Sequence, residues 1–236
     1  MNNKGILYIV ATPIGNFDDI TLRAIEVLRT VDVIACEDTR HSAKLLNHFG
    51  IQAKKISYYD EVETQRSGVL IAMLESGKSV ALISDAGTPG ISDPGYRVIE
   101  KALADGITVI PVPGPSAVLA ALVASGFATD RFTFEGFLPR KKGRRTRLEE
   151  LSNEARTMIL FESRLRLLKT LKDLETYFGD RRIVIGREMT KYYEEYTRGT
   201  IPEVILHFTE NVPRGEFVIV IEGLTRKVKK EYPAEK

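Results

Sequence analysis

The chain has 236 residues, 43% of them hydrophobic and 28% charged, the balance of a folded protein, which excludes wholesale disorder. A single cysteine, Cys36, excludes an intramolecular disulfide and a thiolate zinc site, and histidines only at 41, 48 and 207 leave too few ligands for a structural zinc. The net charge of +2 is unevenly spread: Arg140–Arg147 holds six cations in eight residues without an acid, and Arg226–Lys230 forms a second cluster, both footprints for phosphate. In chain order, Gly5–Ala11 is predicted as a buried strand and Thr21–Thr30 as a helix with apolar residues at 22, 25 and 28. Strand Val31–Cys36, helix Ser42–Phe49, strand Lys55–Tyr59, helix Glu61–Ser76 and strand Ser79–Ile83 follow. Helix Tyr96–Ala104 and strand Ile107–Val112 complete a half whose alternation implies a largely parallel sheet under helices.

Pro111-Val112-Pro113-Gly114-Pro115 stops any element running through, so the domain boundary is expected there, at 1–113 and 114–236. Helix Ser116–Ser125, strand Phe132–Phe137, the basic loop, helix Thr146–Ser152, strand Thr157–Phe161 and helix Leu165–Phe178 come next. Strands Arg182–Arg187, Tyr192–Thr200 and Phe217–Glu222 give this half a mixed sheet. The expected fold is α/β, two lobes with a cofactor cleft between them. The longest apolar run, Ala117–Ala124, is far short of the roughly 20 residues that cross a bilayer. Met1–Gly5 leads into a strand without a signal-peptide pattern, so a soluble, cytoplasmic protein is expected.

In parallel sheets, ligands bind beyond the carboxyl ends of the strands. Thr12–Asp19 has one glycine where a dinucleotide fingerprint needs three, and no P-loop pattern occurs anywhere. Ser84–Gly95 is denser, with three glycines, two prolines and two aspartates in twelve residues. Glycines admit a ligand to the backbone, prolines stiffen the turn, and carboxylates bind hydroxyls or amines. Glu37-Asp38-Thr39-Arg40 sets two acids and a guanidinium after a strand, which also reads as a helix N-cap with a local ion pair.

These strings together are specific. Leu7–Asn16, Glu37–His41, Ser84–Pro89, Asp93–Tyr96 and Val112–Ala117, followed by Phe134–Pro139, Phe161–Ser163, Arg187–Lys191 and Gly215–Phe217, resemble the ribosomal RNA small subunit methyltransferase I family. The resemblance runs in order from about residue 5 to residue 224. It implies the tetrapyrrole-methylase fold, S-adenosylmethionine (SAM) as cofactor, and 2′-O-methylation of a cytidine ribose in the decoding region of small-subunit ribosomal RNA. Free RNA or the small ribosomal subunit would be the partner, and a homodimer is implied. Members often continue into a basic helical extension, whereas this chain stops soon after Lys230, so RNA affinity is expected to rest on the core and the two basic clusters.

By the same resemblance, SAM would lie against Thr12, Pro13, Asp85, Gly87, Thr88, Pro89, Ser116, Ala117, Leu160, Phe161, Glu216 and Phe217. Asp85 would take its ammonium, the helix start at Ser116 its carboxylate, and Leu160 and Phe161 its adenine. The substrate side would use Asp38, Arg40, Asp93, Glu162 and Lys191. Asp38, Glu162 or Lys191 would accept the hydroxyl proton, Arg40 would hold a phosphate, and Lys191 serves equally well as a phosphate contact. RNA is expected on Arg140, Lys141, Lys142, Arg144, Arg145 and Arg147. Two alternatives stay open, a methylase of tetrapyrroles such as precorrins and a non-catalytic RNA-binding factor.

Overall fold

Side chains of a strand alternate between its two faces, and the first half of the chain is apolar on both. In β2 (Val33–Cys36), Val33 and Ala35 join one buried cluster while Ile34 and Cys36 join another. In β4 (Val80–Ile83), Val80 and Leu82 separate from Ala81 and Ile83 in the same way. Such a sheet needs helices on each face. The computed structural model, which describes residues 4–224, supplies them. Ala24 and Leu28 of α1 (Leu22–Thr30) and Leu45 and Leu46 of α2 (Thr39–His48) cover one face. Leu70 and Leu74 of α3 (Glu63–Glu75) and Val98 and Ala102 of α4 (Tyr96–Ala104) cover the other. With β1 (Ile6–Val10), β3 (Lys54–Ser57) and β5 (Thr108–Val112), the strand order is β3-β2-β4-β1-β5, parallel throughout.

After α5 (Ala117–Ser125) comes a second sheet of order β6-β7-β10-β8-β9. It comprises β6 (Phe132–Phe137), β7 (Thr157–Ser163), β8 (Arg182–Arg187), β9 (Glu195–Thr200) and β10 (Glu216–Ile221). Only β6 and β7 run parallel, and the other three pairings are antiparallel, the mixed sheet expected of this half. One face packs against α6 (Arg144–Leu151), α7 (Leu167–Phe178) and α8 (Ile201–Glu210) through Leu148, Leu171, Phe178 and Phe208.

Helix α8 has no counterpart in the sequence prediction. Its start is chemically explicit: Thr200 and Glu203 form a capping box, and a proline occupies the first turn. The helix follows β9 with no intervening linker, so no turn residues mark it. Several boundaries move, two of them at expected site or sheet-edge positions. Asp38 caps α2, which starts at Thr39 and not Ser42, and β9 begins at Glu195 and not Tyr192. The chain divides into two compact units after Ala120, and Met189–Tyr192 returns to the first of them. Among the described residues, no helix is long and apolar enough to cross a membrane.

Candidate active site

The carboxyl ends of the parallel strands bring the first unit's expected site residues together. Thr12, just after β1, and Gly87, after β4, exchange two backbone hydrogen bonds: Thr12 N–H donates to the Gly87 carbonyl at 2.8 Å and Gly87 N–H to the Thr12 carbonyl at 3.0 Å. The buried Thr12 hydroxyl donates to the Ser84 carbonyl at 3.1 Å. Thr12, Pro13, Asp85, Gly87, Thr88 and Pro89 thereby belong to one tied pair of loops. The Pro113–Pro115 turn passes tight against β1, where a Cβ on Gly114 would come within 3.2 Å of the Ala11 Cβ. That approach sets Ser116 and Ala117 at the start of α5, where the Ser116 hydroxyl accepts from Leu119 N–H at 3.4 Å, the bond of an N-cap.

Carboxylates crowd the same end of the sheet. Burial pushes the Asp93 carboxyl up to about 7; the negative charges of Glu37, Asp85 and Asp60 add to the shift, and a hydrogen bond from Ser84 opposes it. Glu37 is also raised, by burial first and then by Asp85 and Asp60. Asp38 differs. It accepts from Arg40 N–H at 2.7 Å and His41 N–H at 3.4 Å, and these cap bonds hold its carboxyl below the ordinary range. Arg40 is exposed and pairs with Asp38 at 3.5 Å, and Asp38 N–H donates to Asp85 Oδ1 at 3.2 Å.

A titration follows from Asp93. Its native carboxyl binds a proton more tightly than an ordinary aspartate of 3.8. Its contribution therefore favours the fold below that value and is lost as pH rises through about 7. Asp93→Asn should melt above the parent by a margin that grows between about pH 4 and pH 7 and levels off above, read by thermal scans in matched buffers. Parallel melting curves over that range would show that Asp93 does not titrate there.

Glu63, at the start of α3, drew no attention in the sequence, yet it clamps this loop from beneath. It is buried, accepts from Tyr58 Oη at 3.1 Å, from Gly95 N–H at 3.0 Å and from Arg97 N–H at 3.3 Å, and pairs with the Arg97 guanidinium at 3.2 Å. Those amides open α4, so a carboxylate far away in sequence neutralises a helix N-terminus. The loop after β1 is braced too. Asn16 N–H donates to Thr190 Oγ1 at 3.1 Å, and a Cβ on Gly15 would lie 2.5 Å from Lys191 Cγ. Lys191 is therefore packed on the first unit's loop, half-buried.

The remaining expected residues lie in the second unit, and several have other work there. Leu160 and Phe217, both expected at the cofactor, bury their side chains in the core cluster, because strand alternation turns them inward. Phe161 is half-buried, edge-on to Phe134 at 4.9 Å and Phe137 at 5.8 Å. Glu216 is exposed, and its N–H donates to Glu188 Oε1 at 2.9 Å. Glu162 is 2% exposed. Its oxygens accept from Thr170 Oγ1 at 2.6 Å and Ser163 N–H at 2.8 Å and pair with Arg166 at 3.3 Å, so this one of the three candidate proton acceptors is held as an internal anchor.

The basic run is not one solvated loop. Helix α6 begins at Arg144, which is 8% exposed. The guanidinium donates to Asp173 at 2.8 Å, Thr170 Oγ1 at 2.9 Å and the Pro139 carbonyl at 3.1 Å. Arg145 pairs with Glu149 at 2.7 Å, and Arg147 pairs with Glu150 at 2.8 Å and with Glu135. Arg140, Lys141 and Lys142 are exposed and make no ion pair with the described residues. The second cluster, Arg226–Lys230, lies outside the described residues.

The family described as Tetrapyrrole (Corrin/Porphyrin) Methylases matches residues 6–205. Ribosomal RNA small subunit methyltransferase I of Synechocystis sp. is 52% identical over 98% of this chain and 84% of its own length. The protein of that name from Thermotoga maritima is 48% identical over 93% of this chain and 99% of its own. A crystal structure of diphthine synthase superposes with a TM-score of 0.74 at 15% identity, covering 94% of this chain and 91% of that one, a likeness of fold. Two sheets of this order, a glycine-rich loop after β4 and near-full-length identity of about one residue in two lead to one placement. The chain belongs to the ribosomal RNA small subunit methyltransferase I family of tetrapyrrole-type methylases.

Proposed function

We propose that this chain methylates small-subunit ribosomal RNA in the cytoplasm, on the ribose 2′-hydroxyl of a cytidine in the decoding region, with SAM as donor. The observation that carries the reading is that relatives of about 50% identity over nearly the whole chain are named for that RNA. The donor set suits SAM: burial first, and then the charges of neighbouring carboxylates, raise Glu37 and Asp93 beside Asp85, and a cationic ligand would relieve the part due to charge while leaving the part due to burial. When bound, SAM supplies a methyl group on a sulfonium that departs as a neutral thioether.

The chain's own residues then align, neutralise and take the proton. Thr12, Pro13, Gly87, Thr88 and Pro89 present the tied loops to the cofactor, and Asp85 offers its charge to an ammonium. The amides at the start of α5 beside Ser116 and Ala117 suit a carboxylate. Among the acids, Asp93 is the proton acceptor we assign, because a value near 7 matches a base working at neutral pH. Asp38 is depressed by its cap bonds, and Glu162 is enclosed. Exposed Arg40 and the Lys191 ammonium serve phosphates, and orientation supplies much of the rate.

The test is methyl transfer from labelled SAM to small ribosomal subunits and to free small-subunit RNA, with the product mapped by mass spectrometry. Label on a cytidine 2′-oxygen is expected; no label on either RNA substrate, or label only on a precorrin offered in a parallel reaction, overturns the reading. Asp85→Asn keeps the acceptor for Asp38 N–H and removes the charge, so it should weaken SAM binding about tenfold with little change in melting temperature. Unchanged SAM affinity in calorimetry would remove Asp85 from the cofactor site.

A further inference from the structure

Strand β6 carries a bulge that re-aims an aromatic ring. Its register with β7 shifts between Phe134 and Phe137, paired with Ile159 and Phe161. Three steps along β6 match two along β7, so Phe137 reaches the side that Phe134 occupies, and both rings meet Phe161 edge-on. Phe137 remains 52% exposed, a large share for an aromatic ring at the end of a strand. Beside it lies an open surface cavity, a shallow groove of about 460 Å³, that also touches Glu135, Pro139, Thr146, Arg147 and Glu150. This is the size range of small-ligand sites.

The lining has three kinds of chemistry. Phe137 offers a flat apolar face. Arg147, set between the carboxylates of Glu135 and Glu150, offers donors beside acceptors on a floor of one positive and two negative charges. Next to Pro139 in the chain, Arg140, Lys141 and Lys142 are exposed cations without ion pairs to the described residues. A nucleobase asks for this combination: a ring to stack, an edge carrying both donors and acceptors, and flanking phosphates. A small anion has no use for the aromatic wall, and an apolar peptide has none for the ion-paired floor.

We propose that this cavity takes an unpaired nucleobase of the substrate RNA, stacked on Phe137, while Arg140, Lys141 and Lys142 hold the adjoining phosphates. The proposal rests on the RNA reading above and adds the recognition site. Arg145 and Arg147, already paired with glutamates, have less to offer a phosphate than Arg140, Lys141 and Lys142, which have no ion pair among the described residues, and Arg144 has nothing to offer from its buried position.

The experiment titrates the full chain with a single-stranded small-subunit RNA fragment carrying 2-aminopurine, at several salt concentrations. Phe137→Ala should weaken binding roughly tenfold, lose the fluorescence quench of stacking and keep the salt slope, while Phe137→Trp retains both affinity and quench. Thr146→Trp fills the cavity without taking a side chain from the core and should lose affinity to the same degree. Replacing Arg140, Lys141 and Lys142 with alanine should flatten the salt slope by about 0.7 per lost contact. If Phe137→Ala and Thr146→Trp bind like the parent, or if only one of them weakens binding, the base site is refuted while the RNA reading stands. If the parent chain binds neither the fragment nor small ribosomal subunits, the RNA reading itself falls.

Discussion

Arg144→Ala is expected to lower the stability of the protein by about 3 kcal/mol, the cost of breaking a buried charge network and leaving its partners unmatched. The guanidinium is the hub of that network. It joins Asp173 and Thr170 of α7 to the Pro139 carbonyl, and Thr170 in turn donates to Glu162. Arg166, paired with Glu162, donates to the Leu138 carbonyl at 2.6 Å, so two arginines pin the segment that follows β6. Arg145→Ala, one position on, removes only an exposed pair with Glu149 and should cost well under 1 kcal/mol. Urea titrations followed by tyrosine fluorescence, suited to a chain with nine tyrosines and no tryptophan, compare the two. Equal midpoints for the two variants would show that the network carries no stability.

Glu63→Ala should cost about 2 to 3 kcal/mol, because it strips the acceptor from two amides at the start of α4 and leaves the Arg97 guanidinium without its carboxylate. Tyr58 keeps one partner, the Ser67 hydroxyl at 3.0 Å, so the loss concentrates on the loop and not on the tyrosine. Hydrogen exchange at Gly95 and Arg97 should accelerate selectively. Glu63→Gln, which retains an acceptor oxygen and loses the charge, should show less than half the effect. Exchange at those amides unchanged in Glu63→Ala would mean that the helix start holds without the clamp.

The two networks also mark where the sequence was legible and where it was not. Strands β1, β2 and β4 were readable because short β-branched runs have few other ways to be buried, and the loop after β4 because glycine, proline and aspartate rarely gather so densely for a plain turn. Glu63 was not readable. An acid in the first turn of a helix is ordinary, and only the fold reveals that its partners are at Gly95 and Arg97. Arg144 was hidden for the opposite reason. A run of six cations reads as uniformly solvated, and the acid and hydroxyl that draw this one inward sit on α7, remote in sequence. Helix α8 carried a readable capping box but directly abuts a strand, and a pattern search that expects a linker passes over it.

The four residues Met189–Tyr192 belong to the first unit although the chain on either side of them belongs to the second. During synthesis the first unit is therefore delivered in two pieces. Its sheet and helices leave the ribosome together, and the loop after β1 waits for Thr190 and Lys191 until β6, β7 and β8 have been made. Folding from the N-terminus onward can build the hydrophobic layers of this unit early. Bracing of the loop at Asn16 comes late, so the nascent chain passes through a stage with its first core assembled and that loop held at Thr12 and not yet at Asn16.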